Sequence, residues 1–460
     1  MGPPSPVIQL ELNELTPTLM FRFMAEGRLP NFQRFYDESQ VFTTDAQEQG
    51  VNLNPWIQWV TVHSGQPFSE HGIFRLGDGG RLASPCVGDV VSQAQRRVLL
   101  CGSMNVRYRG PLAGAAIPDA WATDVDPYPS ELAPYFHFVR QHVLEHTNER
   151  VPLGWRDYAA FLTFMATHGL SASTVWAIAR QLLRETTGRF GWQRVTLLDR
   201  LQWDVFRWYY RKLRPDLSTF FINSVAHLQH THWRNLEPER FQIQPTPAEQ
   251  AEYRDAVLYG YQENDRLLGR FLELAGDDAT LVFCTALSQQ PCLVYEDMGA
   301  KRFYRPSKFE DLVAFAGITA PYTCSPVMSE EFQLYFEDEA SASDAEQRLR
   351  GLRVGDETAL CVDRTGSEIY CGCQIFHELP ANAPLIESGS GRRTGFFDIF
   401  YQADSLKSGI HHPDGLLWIR RPDRGHAVHA EKVPLVSVAP TLLHLLGIEA
   451  PASMRGEPLL

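Results

Sequence analysis

Short runs of strand character recur along this chain, each followed by a helical pattern, and that alternation limits the possible folds more than any other feature. Val7–Leu12 reads as a first strand. Thr16-Pro17 then opens a helix that runs through Met24, with proline placed where a missing amide donor costs nothing, and Gly27-Arg-Leu-Pro30 closes it. Arg97–Cys101, Thr219–Ile222 and Thr280–Cys284 read as further strands with helical patterns between them. This order yields an α/β fold with a mostly parallel, doubly wound sheet. From about Ser130 to Leu213 the pattern is long, aromatic-rich and helical, as in Trp203-Asp-Val-Phe-Arg-Trp-Tyr-Tyr210, and predicts a helical cap beside the sheet. Between Glu331 and Phe376 a charged helix from Ser343 to Leu352 lies among strand-like runs, which predicts a small α+β insertion. Leu416–Ile419 returns to the main sheet, and Pro440–Gly447 is an amphipathic helix ended by its glycine. The expected organisation is a core at 1–129, 216–330 and 377–460, with the helical insertion at 130–215 and the α+β insertion at 331–376.

A chain of 460 residues that is 44% hydrophobic has ample core for one large unit with insertions. Its formal net charge of −13 argues against a nucleic-acid backbone as the main partner, which would want a basic face. The eight cysteines lack the paired spacings of a zinc ribbon or a disulfide scaffold, so reduced structural thiols are expected, with Cys371-Gly-Cys373 the only close pair. No apolar run reaches the ~18 residues needed to span a membrane. The opening Met1–Pro6 lacks the basic and apolar segments of a signal peptide, and a cytoplasmic protein is expected.

The segment Asn223-Ser-Val-Ala-His-Leu-Gln-His-Thr-His-Trp233 follows the strand Ser218–Asn223, so its histidines fall at a strand's carboxyl end, where open α/β sheets build their sites. Three histidines within six residues point to proton transfer or metal binding. Arg392-Arg393 is the evident candidate for meeting an anion.

Several segments, taken in order, resemble the alkaline phosphatase superfamily, most strongly its type I phosphodiesterase and nucleotide pyrophosphatase branch. They are Asn13–Thr16 with Met24–Phe32, Pro55–Gly65 with Pro67 and Glu70–Ile73, Gly409–Gly415, and Val436–Gly447 ending in Met454-Arg-Gly456. The resemblance implies a three-layer α/β/α core and a site in which two zinc-like ions activate a Thr or Ser nucleophile and steady the phosphoryl oxygens. Position by position, the likeness departs from that pattern. Asn13 stands where the family has its first Asp, and Asn54 or a neighbour replaces the nucleophile. Ala226 and His230 replace an Asp-x-x-x-His pair, and Thr285-Ala-Leu-Ser288 replaces an Asp-His pair with Leu287 and Ser288. The final His is present as His411.

One ion thus loses its whole ligand set, and a two-metal site is not expected. At most one zinc-like divalent ion is expected, on His230 and His411, with Glu11 as the candidate carboxylate and Asp414, His227 or His412 as other ligands that complete a shell. Without a metal, His230, His411 and His227 are candidate general acids and bases, and Asn54 and Ser288 further candidate catalytic groups. Asn13, Gln58, Arg392, Arg393 and His412 are candidates for binding the substrate. The expected function is hydrolysis or group transfer on a phosphate-like or other anionic small molecule by altered chemistry. The alternatives are a metal-free transferase or lyase and a non-catalytic relative that binds a ligand or partner.

Overall fold

A computed structural model of the chain describes all residues except 1–3, 123, 146–152, 189, 329 and 404–405, so the start of the Met1–Pro6 segment lies outside the described residues. The largest sheet runs in the order Ala427–Val428, Gln40–Asp45, Asp414–Arg420, Thr280–Cys284, Val7–Leu12, Leu217–Ile222, Val98–Cys101 and Gly114–Ile117, with Val433–Pro434 also paired to Gln40–Asp45. All neighbours are parallel except at Asp414–Arg420, which is antiparallel to both of its partners. This is the mostly parallel α/β architecture expected.

Alternation along the strands explains why the sheet is covered on both faces. Ile8, Leu10 and Leu12 enter one buried cluster with Phe23, Phe32 and Phe271, while Val7 enters the other with Val62, Leu217 and Val282. Leu416 and Trp418 face the first cluster, and Leu417 and Ile419 face the second. Helix Pro17–Ala25 packs Leu19, Met20, Phe23 and Met24 onto the first face. Helix Pro30–Asp37 is pinned at its start by Asp265, whose carboxylate accepts from the backbone amides of Asn31 and Phe32 at 2.9 Å each. Those amides have no partner within their own helix, and an anion there also suits the helix dipole.

The helical middle forms as helices Ala133–Glu145, Trp155–Thr167, Ala172–Glu185 and Val195–Leu213, which feed Phe136, Phe161, Phe164 and Trp203 into the first cluster. Asp199 is buried there, and loss of hydration pushes its carboxyl up to about 7. The folded chain therefore holds a proton that the unfolded chain has lost above about 4, so this residue lowers stability as pH rises through 7. Asp199→Asn should raise the thermal midpoint relative to the parent chain more at pH 8 than at pH 5. An equal difference at both pH values would show that the carboxyl does not titrate in that window.

A third buried cluster draws only on residues between Tyr304 and Phe400, a longer stretch than the 331–376 segment expected. It lies over two small antiparallel sheets, one of Tyr322–Pro326, Glu331–Phe336, Leu360–Thr365 and Glu368–Cys373, the other of Leu352–Val354, Glu357–Thr358, Pro384–Glu387 and Arg393–Gly395. The outer hairpin turns through Ser388-Gly-Ser-Gly-Arg392 and is held by backbone pairing of Pro384–Glu387 with Arg393–Gly395. Among the described residues, no helix is long and apolar enough to cross a membrane.

Candidate functional site: a two-histidine, one-carboxylate cluster

Strand Leu217–Ile222 runs directly into helix Ser224–Leu236, which buries Val225, Ala226, Leu228, Gln229 and Trp233 and turns His227 outward. His230 lies between these faces, with 30% of its side chain exposed. Its Nδ1 donates to the Gly409 carbonyl at 3.0 Å. Only glycine fits at 409, because a Cβ there would press on the Gln289 side chain and come within 2.8 Å of the Gln229 carbonyl oxygen. The strand that begins at Gly409 pairs antiparallel with Ser288–Pro291 and sets His411 opposite Gln289. The His230 and His411 rings meet edge to face, with centroids 5.2 Å apart.

The third member was not foreseen from sequence. Glu14 follows the first strand in a left-handed turn with φ +60°, an uncommon conformation for a side-chain-bearing residue. Its amide donates to the Thr285 carbonyl at 3.3 Å, and its own carbonyl accepts from Gln229 at 2.8 Å. The turn aims a fully buried carboxylate at the two imidazoles, with Oε2 3.1 Å from His230 Nε2 and 3.6 Å from His411 Nε2. Gln289 donates to the same Oε2 at 2.5 Å, and Asn13 donates to Oε1 at 2.8 Å.

The donor atoms of Glu14, His230 and His411 all lie within 4.8 Å of one another. Burial acts to raise the Glu14 carboxyl, but the two imidazoles and the bonds from His230 and Gln289 outweigh it and hold it at about 2. Burial pushes His411 down to about 4, against the pull of Glu14 and of the Leu53 backbone. With Nδ1 donating to Gly409, Nε2 is the nitrogen that faces the carboxylate, and without a proton it presents a lone pair there. Two acceptors 3.1 Å apart require a proton or a cation between them. The group is a possible three-residue metal cluster, with the His₂Glu donor set that zinc accepts.

Other expected site residues are distributed unevenly around this cluster. Asn13 is adjacent, where it also donates to Asn223 at 2.7 Å and accepts from Trp59 Nε1 at 2.8 Å. Asn54 begins helix Pro55–Ser64 and donates to the Val51 carbonyl, one residue from the Leu53 backbone that bonds His411. Gln58 is buried and donates to the Asn52 carbonyl. Ser288 is buried opposite His412, whose Nδ1 accepts from the Asp414 amide.

Glu11 departs from the expectation. Its Oε1 meets His63 Nε2 at 2.8 Å on the sheet face covered by helix Pro55–Ser64, not the His230–His411 pair. Glu11 and Asn13 do share a face, but that face belongs to His63 and Trp59, one helical turn apart, and only the turn at Glu14 leaves it. Arg392 and Arg393 are not brought to the cluster either. They lie on the exposed outer hairpin of the small sheets, where Arg392 sits over the Phe315 ring.

Trp59, Phe221, Cys284, Ala286 and Leu287 share one buried cluster, and Trp59 meets Phe221 edge to face at 5.6 Å.

No protein-family model matches the chain, and no curated protein matches it. Solved structures match it along its whole length. A variant of the alkaline phosphatase PafA is 12% identical, with 100% of this chain and 99% of that chain covered and a TM-score of 0.49. A murine ectonucleotide pyrophosphatase/phosphodiesterase in complex with AMP is 10% identical, with 98% and 97% covered and a TM-score of 0.42. Phosphonoacetate hydrolase from Sinorhizobium meliloti, in complex with phosphonoformate, is 15% identical, with 97% and 96% covered and a TM-score of 0.42. Each is a likeness of fold.

Proposed function

We propose that this chain is a hydrolase of the alkaline phosphatase superfamily that cleaves an anionic, phosphate-like ester with a single zinc-like ion held by Glu14, His230 and His411. The observation that carries this reading is the convergence of three acceptor atoms within 4.8 Å, buried on the carboxylate side and open on the imidazole side. When bound, the ion supplies Lewis acidity toward a phosphoryl oxygen or water. The chain's own residues do the positioning. Gly409 fixes the tautomer of His230, and Gln289 and Asn13 hold both Glu14 oxygens, as outer-shell partners of a metal site do.

With Asn54 closing its own turn in place of a Thr or Ser nucleophile, water attacks the ester directly. A new P–O bond forms from water, the ester P–O bond breaks, and the leaving alcohol takes the proton. Lys407 is better placed than Arg392 or Arg393 to meet the substrate's charge. It is partly buried, its charge acts on His411, and among the described residues its ammonium makes no ion pair.

The test is a panel of anionic esters offered to zinc-loaded protein. Hydrolysis should stop on chelation and fall by roughly a hundredfold or more in His230→Ala and in His411→Ala, the scale of a lost catalytic group. Added alcohols should capture no phosphoryl group, because no covalent intermediate forms. Phosphoryl transfer to alcohol would restore a side-chain nucleophile, and failure of the zinc-loaded protein either to hydrolyse any ester or to bind phosphate would overturn the proposal.

A further inference from the structure

The helix Ala172–Glu185 is amphipathic in the wrong sense for a free surface. It turns Thr174 and Gln181 into the protein, while Val175, Trp176, Leu182 and Leu183 are 49%, 71%, 56% and 71% exposed. A helix whose only neighbours are its own domain and water puts its apolar stripe inward. The helix before it, Trp155–Thr167, likewise exposes Trp155, Tyr158 and Leu162 at 76%, 45% and 58%. On helix Ala172–Glu185 alone, the four exposed side chains present on the order of 400 Å² of apolar surface, within the ~300–600 Å² range at which the largest patch on a monomer is often a contact surface.

The pattern along the exposed stripe indicates what covers it. Ala172, Trp176, Ala179 and Leu183 are all exposed and recur at the four–three–four spacing of a helix–helix seam. Read against itself in the opposite direction, this stripe sets Ala172 beside Leu183 and Trp176 beside Ala179, so every layer pairs a large side chain with a small one. That is the condition for interdigitation, and a sequence meets it with itself only about a two-fold axis. In this register Arg180 opposes Val175 and not another arginine. The net charge of −13 also disfavours an anionic membrane as the occupant.

We infer that this chain forms a two-fold symmetric dimer in which helix Ala172–Glu185 packs antiparallel on its copy, with the axis passing between Trp176 and Ala179. Sedimentation equilibrium of the full chain at tens of micromolar should give twice the 52.2 kDa chain mass. The double variant Trp176→Glu, Leu183→Glu should give the monomer with its helical circular dichroism intact. Should that variant fail to fold, a cross-link decides. Ala179→Cys, in a Cys361→Ser background that removes the exposed thiol, should join two chains under mild oxidation, while the background alone should not. A wild-type monomer, a dimer that survives the paired Glu substitutions, a dimer of the Ala179→Cys variant that does not cross-link, or partition of a monomer onto neutral lipid vesicles would each overturn the inference.

Discussion

Chelator-treated protein titrated with zinc should take up one ion per chain, and Glu14→Ala should weaken that binding by more than the roughly 10–100-fold that loss of an outer-shell partner costs. Gln289→Leu should fall within that range, since Gln289 donates to Glu14 Oε2 but adds no ligand atom to the cluster. Glu11→Gln should leave zinc affinity unchanged and lower the unfolding midpoint, because the Glu11 carboxylate is buried against His63. Competition with a chromophoric chelator reads all three. Loss of zinc binding in Glu11→Gln with retention in Glu14→Ala would reverse the assignment of the carboxylate.

A second large effect is expected away from the cluster. Trp59→Ala should destabilise the chain by about 3–5 kcal/mol, the usual cost of truncating a fully buried large aromatic side chain. Trp59 is fully buried, meets Phe221 edge to face, and donates to Asn13 Oδ1, so its removal opens a cavity and leaves a buried acceptor short of a partner. Trp59→Phe should cost less than Trp59→Ala because it keeps most of the packing. Zinc stoichiometry in either variant should stay at one, since removing the indole supplies no carboxylate at Asn13 or Leu287. A denaturant midpoint unchanged in Trp59→Ala would mean that the apolar filling of this region is not what holds it.

The pairing of His230 with His411 was legible because both lie on segments of recognisable order, a strand followed by a histidine-bearing helix and a closing Gly-Ile-His-His run. That Ala226, Leu287 and Ser288 offer neither carboxylate nor imidazole was equally legible, since residue type is read without a structure. Glu14 was hidden by a rule that works elsewhere. Strand parity puts Glu11 on the same face as Asn13, and parity does hold across Val7–Leu12. It fails one residue after Asn13, where the backbone turns left-handed. Gln289 was hidden for a related reason, since only the pairing of Ser288–Pro291 with Gly409–His412 puts it opposite His411.

By itself the sequence determined the α/β alternation and the mostly parallel sheet, because apolar periodicity is a local property that needs no partner to be read. The tertiary structure alone decided which carboxylate joins the histidines, that Trp59 and Leu287 pack together near Asn13, and that Arg392 and Arg393 lie on the outer hairpin. Each of these depends on where a turn sends a side chain, or on which of two faces a distant helix covers. Such facts are set by contacts between residues far apart in the chain, and no local pattern carries them.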